Sequence, residues 1–247
     1  VTSPVSLIIT AFASLPDVRG TLTPQLDAQE ADTSLLLIDL GQGQNRMGGS
    51  VLGQVLSQFG DSVPDLEDPQ ALVNLVKAIN ALRAQGQILA YHDRSDGGLL
   101  AAVAEMAFAG HVGVALNVDM LVTEGDGITD SRADHGDAKN WAGQVSARRD
   151  ELTLKALFNE ELGVVIQVRT ADRNAVLQTL REHGLSKHTH VIGKTRPVQS
   201  TIQKGVGELS IWRDTKEVFA AKLEDLHQVW DSVSWKICQQ RDNPACA

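Results

Sequence analysis

The stretch Asp93-Arg94-Ser95-Asp96-Gly97-Gly98 sets two carboxylates, a hydroxyl and paired glycines between two apolar runs. The upstream run, QILAY at 87–91, is short and apolar, as a buried strand is. Downstream, Leu99, Val103, Met106 and Ala107 recur at helical spacing. The polar cluster is therefore a strand-to-helix turn, with Gly97 and Gly98 allowing a sharp bend at the helix start. Backbone N–H groups and the positive end of a helix dipole gather at such a turn and favour an anion. A phosphate there repels Asp93 unless a cation bridges the two. Magnesium, hard and commonly shared between carboxylate and phosphates, is the natural choice. Ser95 then donates its hydroxyl to a phosphate oxygen or sits beside the metal. The plain alternative is a helix whose aspartates only cap its N–H groups. His92 is an acid–base candidate, although a lone histidine at a strand end is more often structural.

Two further stretches carry candidate groups. Asn45-Arg46-Met47-Gly48-Gly49-Ser50 also lies between a strand and a helix, and an arginine beside paired glycines suits phosphate or carboxylate recognition. It contains no GxxxxGK[ST] pattern, so it is no ordinary P-loop, and a plain turn is the competing reading. Phe158-Asn159-Glu160-Glu161 offers adjacent carboxylates for a cation or an interface, against the simpler reading of a solvated helix end. No Gly-x-Ser-x-Gly or His-Glu-x-x-His stretch supports a hydrolase.

The elements that position these groups follow from periodicity. Strands are expected at residues 5–13, at 35–40 (LLLIDL), and in GVALNVD, GVVIQV, THVIGKT, VQSTIQ and ELSIW, the last two joined as a hairpin by KGVG. Leu52, Val55, Leu56 and Phe59 mark one helix face. Asp68-Pro69 opens a second helix with Leu72, Leu75, Val76, Ile79 and Leu82 on one side and Gly86 past its end. Thr170 is expected to cap a helix through Val176, Leu177 and Leu180. A final helix carries Val218, Phe219, Leu223, Leu226 and Trp230. Residues 124 to 150, rich in Gly, Asp, Arg and Ser, read as an exposed loop. Mixed strands and helices of this kind predict an α/β (α+β) fold, a sandwich of helices around a mixed sheet.

At 247 residues and 43% hydrophobic, the chain buries one substantial core. A net charge of −9 gives no electrostatic case for nucleic acid or an anionic membrane, and no apolar run reaches the length of a membrane span. Cys238 and Cys246 are too few for a disulfide framework, so the expected compartment is the cytoplasm. Starting at Val1 and stopping at RDNPACA, the chain is expected to be a portion of something longer.

Taken in order, "LLLIDLGQGQNRMGGSVLGQV", "AYHDRSDGGLLAAVAEMAFAG" and "LFNEELGVVIQV" resemble the second carboxy-terminal synthetase domain of large, single-chain phosphoribosylformylglycinamidine synthase, or formylglycinamide ribonucleotide amidotransferase. A hydrogenase-maturation or selenophosphate-synthetase relative is disfavoured by "HDRSDGGL" and "FNEELG". The resemblance implies a three-layer α/β/α sandwich like the carboxy-terminal domain of aminoimidazole ribonucleotide synthetase. Residues 1–28 would close the preceding synthetase domain, 29–232 form the domain itself, and 233–247 lead toward a glutaminase. The implied reaction joins formylglycinamide ribonucleotide and glutamine-derived ammonia at the expense of ATP. It also places Mg2+ on Asp93 and an ATP or ADP nucleotide, of auxiliary type, on Ser95, Asp96, Gly97 and Gly98. Arg46, Gly48, Gly49 and Ser50 remain a phosphate or substrate loop. No catalytic residue is assigned to this segment. The other domains of the same chain are its implied partners, and the alternative is a purely structural domain that holds the nucleotide and the glutaminase without catalytic residues of its own.

Overall fold

The computed structural model describes residues 9–60, 62–122, 138–197 and 207–242. In chain order these form β1 (Thr33–Asp39), α1 (Val51–Val55), α2 (Pro69–Ala84), β2 (Ala90–Asp93), α3 (Gly98–Gly110), β3 (Gly113–Asn117), α4 (Ala138–Phe158), β4 (Gly163–Arg169), α5 (Arg173–Glu182), β5 (Thr189–Arg196), β6 (Glu208–Arg213), β7 (Lys216–Lys222) and α6 (Leu223–Arg241). The strands make one open sheet in the order β2-β4-β1-β5-β3-β6-β7. All its pairs are antiparallel except β3 with β6, so the sheet is mixed, as expected.

The run LLLIDL explains the centre of the sheet. Every residue of β1 is buried, because both of its faces are covered. Leu35 and Leu37 enter a core built with α3, α4 and α6, whereas Leu36 and Ile38 enter a second core built with α2 and α5. This is the three-layer sandwich. In α3, Leu99, Val103, Met106 and Ala107 are fully buried at the positions their spacing indicates.

Several expectations are corrected. Residues 9–13 are exposed and irregular rather than a strand. The helix after the GGS loop is one short turn, and Val55, Leu56 and Phe59 stay exposed. In α2 the small residues Ala71 and Ala78 join Leu75 and Leu82 at the core, and Val76 is 54% exposed. With alanine at two of the four buried positions, the buried face is rotated away from Val76. Residues 138–150, expected within a loop, begin the long helix α4. The α5 helix starts after Asp172, and Thr170 instead donates its hydroxyl to Asp32. Val218 and Phe219 lie in β7, paired with β6 through the turn Asp214-Thr215, so the last helix begins only at Leu223. The expected strand VQSTIQ lies outside the described residues.

Leu22 and Ala28 pack against the two cores and Leu26 is buried in one of them, while α6 runs unbroken across residue 232.

The observed face of α2 is testable by denaturant unfolding. Leu75→Ala should cost about 2–5 kcal/mol through the cavity it leaves, and Val76→Ala about 0.5 kcal/mol or less. Equal losses would contradict this packing.

Candidate functional site

The three sequence stretches meet at one end of the sheet, around charges that have left water. Asp39, at the end of β1, is 4% exposed. Its carboxylate accepts from the Gly41 and Gly43 amides at 3.0 and 2.8 Å and pairs with Arg94 Nη2 at 2.5 Å. Arg94, also buried, donates Nε to the Glu161 carbonyl at 2.6 Å and Nη2 to the Leu162 carbonyl at 3.2 Å. One guanidinium thus joins all three segments. Glu161, 1% exposed, receives a two-pronged contact from Arg46, with Nε at 2.7 Å and Nη2 at 2.8 Å. The Arg46 amide adds a third bond to it at 3.0 Å. The Glu161 hydrogen bonds push the Arg46 guanidinium above its ordinary range, so the group is held charged. Arg46 also reaches Glu67 and the Asp65 carbonyl. Its charge is balanced within the chain. Sequence reasoning missed Arg94 and underrated Glu161. The available signal was a lone arginine inside a glycine-tight turn.

Gly97 and Gly98 hold φ of +81° and +71°, a region that side chains resist. A Cβ on Gly98 would also stand 2.7 Å from the Asn159 and Leu157 carbonyl oxygens, so the turn before β4 packs directly against it. A carboxylate of the chain itself takes the backbone N–H at this turn. Glu160 Oε1 accepts from the Gly97 amide and from the Val51 amide at 2.9 Å each, closing the starts of α3 and α1 together. Ser50, buried, caps α1 by accepting from the Gly53 amide at 3.2 Å. A Cβ on Gly48 would strike the Ser62 carbonyl, while Gly49, at φ +75°, has open space beside it. Asn159 is fully buried and bonds Asn45 Oδ1 and the Lys155 carbonyl. The solvated helix end weighed for this stretch is therefore replaced by a buried polar knot.

Asp93, Ser95 and Asp96 are exposed beside that knot. Asp93 Oδ1 accepts from the Tyr91 hydroxyl at 2.6 Å, and burial followed by this bond raises the Tyr91 pKa. Asp93 Oδ2 has no hydrogen-bond partner among the described residues. Among those residues no three His, Cys, Asp or Glu side chains converge to cage a metal. One open carboxylate oxygen fits a magnesium ion that takes its other ligands from phosphates and water. His92 has Glu105 at 3.0 Å from Nε2 and the Asp93 carbonyl at 2.6 Å from Nδ1, which ties both ring nitrogens. Asp93 lines a pocket of about 430 Å3 whose other walls include Leu72, Val76, Ile79 and Asn80. A second, more polar cleft of about 500 Å3 is lined by Asp39, Arg94, Lys155, Lys187 and His190. Burial lowers the His190 pKa, opposed by Asp39 and reinforced by His188 and Arg94.

A mixed seven-stranded α/β/α sandwich, with these three stretches closed on one another at one end, defines an AIR-synthase-type carboxy-terminal domain. Residues 33–203 match the family described as AIR synthase related protein, C-terminal domain, and the chain belongs to that family. Among solved structures, Thermotoga maritima PurL complexed with FGAR aligns at a TM-score of 0.57 and 13% identity, over 85% of this chain and 30% of that one. The same protein complexed with AMPPCP gives 0.54 and 12%, over 84% and 27%. Phosphoribosylformylglycinamidine synthase II from T. maritima gives 0.53 and 13%, over 82% and 27%. At these identities the likeness is one of fold, and this chain spans under a third of each solved chain.

Two outcomes follow from the buried charges. Arg94→Met should cost about 3–5 kcal/mol by leaving Asp39 buried without its partner, and adding Asp39→Asn should recover part of that loss. A depressed folded-state pKa means the unfolded chain takes up the His190 proton first. This contribution to stability should therefore fall as pH drops through about 6.5 and level off below the folded value. Melting curves of His190→Asn should lack that component.

Proposed function

We propose that this chain is the carboxy-terminal synthetase-type domain of phosphoribosylformylglycinamidine synthase, an ATP-dependent carbon–nitrogen ligase of purine biosynthesis working in the cytoplasm. The reaction converts formylglycinamide ribonucleotide, glutamine and ATP to the amidine, glutamate, ADP and phosphate. The observation that carries this reading is the convergence of all three characteristic stretches on one buried charge network, with Asp93 and Ser95 exposed at its edge. The solved relatives of this fold described as complexed with ATP, ADP and FGAR support it.

In this reading Asp93 holds Mg2+, which neutralises charge on the nucleotide phosphates. Tyr91 orients the Asp93 carboxylate. Ser95 donates its hydroxyl to a phosphate oxygen, and Asp96, Gly97 and Gly98 shape the turn. Arg46, Gly48, Gly49 and Ser50 set the facing loop, with Arg46 acting through Glu161 rather than on a ligand. No side chain of this segment takes a proton or forms a bond. The nucleotide is of the auxiliary kind, and the remaining contacts come from the other synthetase domains and the glutaminase of the same chain.

A second reading, in which this turn is only a capped helix start and holds no nucleotide, is favoured by one observation. Glu160 already takes the Gly97 amide that a phosphate would use.

The two readings part on Asp93→Asn in the full-length enzyme. Under the first, extracted nucleotide falls roughly tenfold or more and melting temperature drops, while turnover per folded molecule changes less. Ser95→Ala costs about 1 kcal/mol of nucleotide affinity. Unchanged nucleotide content and melting temperature in Asp93→Asn would leave the second reading. The chain on its own should form no amidine from formylglycinamide ribonucleotide, ATP and ammonia, and detectable product would overturn the assignment of chemistry to other domains.

A further inference from the structure

The helix layer of α2 and α5 covers only half of its side of the sheet. Its core takes residues from β1 and β4 and none from β5, β3 or β6. On those three strands the same face carries Val191, 39% exposed, with Ala115, Asn117 and Trp212. Among the described residues no helix lies over them, and a trough of about 470 Å3 remains.

The rim of this trough is cationic, although the chain as a whole carries −9. Arg173, from the start of α5, and Lys194 and Arg196, from the end of β5, all line it. Most other arginines in the structure are bound to carboxylates or carbonyls. Among the described residues, Arg173 and Arg196 are the arginines whose guanidinium groups have no hydrogen-bond or ion-pair partner. Both face one concavity. The acidic side chain lining it is Asp32, which is taken up by the Thr170 hydroxyl at 2.9 Å. Guanidinium forks match phosphate oxygens in geometry as well as charge, and Arg173, Lys194 and Arg196 against the single Asp32 carboxylate leave net positive charge that focuses an anion into the concavity.

The trough also has an aromatic wall. Trp212 Nε1 donates to Ser210 Oγ at 3.2 Å, which fixes the orientation of the ring. An indole beside phosphate-binding cations accommodates a flat heterocycle by stacking. We propose that this trough binds a nucleoside monophosphate, with its phosphate on Arg173 and Arg196 and its base against Trp212. The site lies by Thr33 and Ser34, at the start of β1, whereas Asp39 and the Asp93 turn lie at its far end, roughly 20 Å away. It needs no magnesium and stands independently of the Asp93 reading.

Calorimetric titration with AMP, in EDTA, tests the site. Wild type should bind AMP saturably, more tightly than inorganic phosphate or adenosine. Arg173→Gln with Arg196→Gln should weaken AMP by roughly tenfold or more, and Trp212→Leu should weaken AMP while leaving inorganic phosphate unchanged. Asp93→Asn should bind AMP within about twofold of wild type, since no phosphate contact is lost. The arginines are surface groups, and unchanged melting temperature of the double variant would show that the fold is intact. No saturable AMP binding, or equal affinity in the arginine variant and wild type, would overturn the proposal. So would a loss confined to Asp93→Asn, or adenosine binding as tightly as AMP.

Discussion

Four buried or nearly buried charges, Asp39, Arg94, Arg46 and Glu161, govern how this domain closes. Each alone in the interior would cost several kcal/mol, so none tolerates a fold that leaves it without its partner. Asp39 ends β1, Arg94 follows β2, and Glu161 precedes β4, so satisfying them fixes where three sequence-distant segments stop. The neighbouring glycines follow from the same constraint. A Cβ on Gly41 would sit 2.7 Å from Glu161 side-chain atoms, and one on Gly163 would crowd the Arg94 guanidinium. Backbone must come that close for the ion pairs to form, and only glycine lets it.

This explains which features were readable in the sequence. The strand β1 and the helix α3 bury their apolar residues in the pattern their spacing announces, because local period and tertiary environment agree there. The three motifs were also legible as a set. Less visible was the division of labour inside Glu160-Glu161. One carboxylate closes two helix starts and its neighbour is buried on Arg46, a difference set by partners 63 to 115 residues away. Two adjacent glutamates carry no local sign of it.

The errors at the other end of the chain have a similar cause. Val218, Phe219, Leu223, Leu226 and Trp230 fit a helical stripe, yet the chain reverses at Asp214-Thr215, both at positive φ, and pairs β7 with β6. Neither residue is the glycine that usually signals such a reversal. Likewise the buried side of α2 is set by two alanines, which carry little hydrophobic weight and allow close packing. Residues 138–150 are helical despite a polar composition, as part of a helix whose far end, at Ala156 and Leu157, sits in the core.

The order of the strands has a consequence for how the domain is made. Few neighbours in the sheet are neighbours in the chain: β1 lies between β4 and β5, and β2 pairs only with β4. During synthesis the most apolar strand therefore emerges without a partner and waits on the order of ten seconds for one. Its exposed LLLI run is then the part of the nascent chain most in need of shielding. The arrival of β4 ends that interval for β1 and β2 together, which makes GVVIQVR the step on which half the sheet assembles.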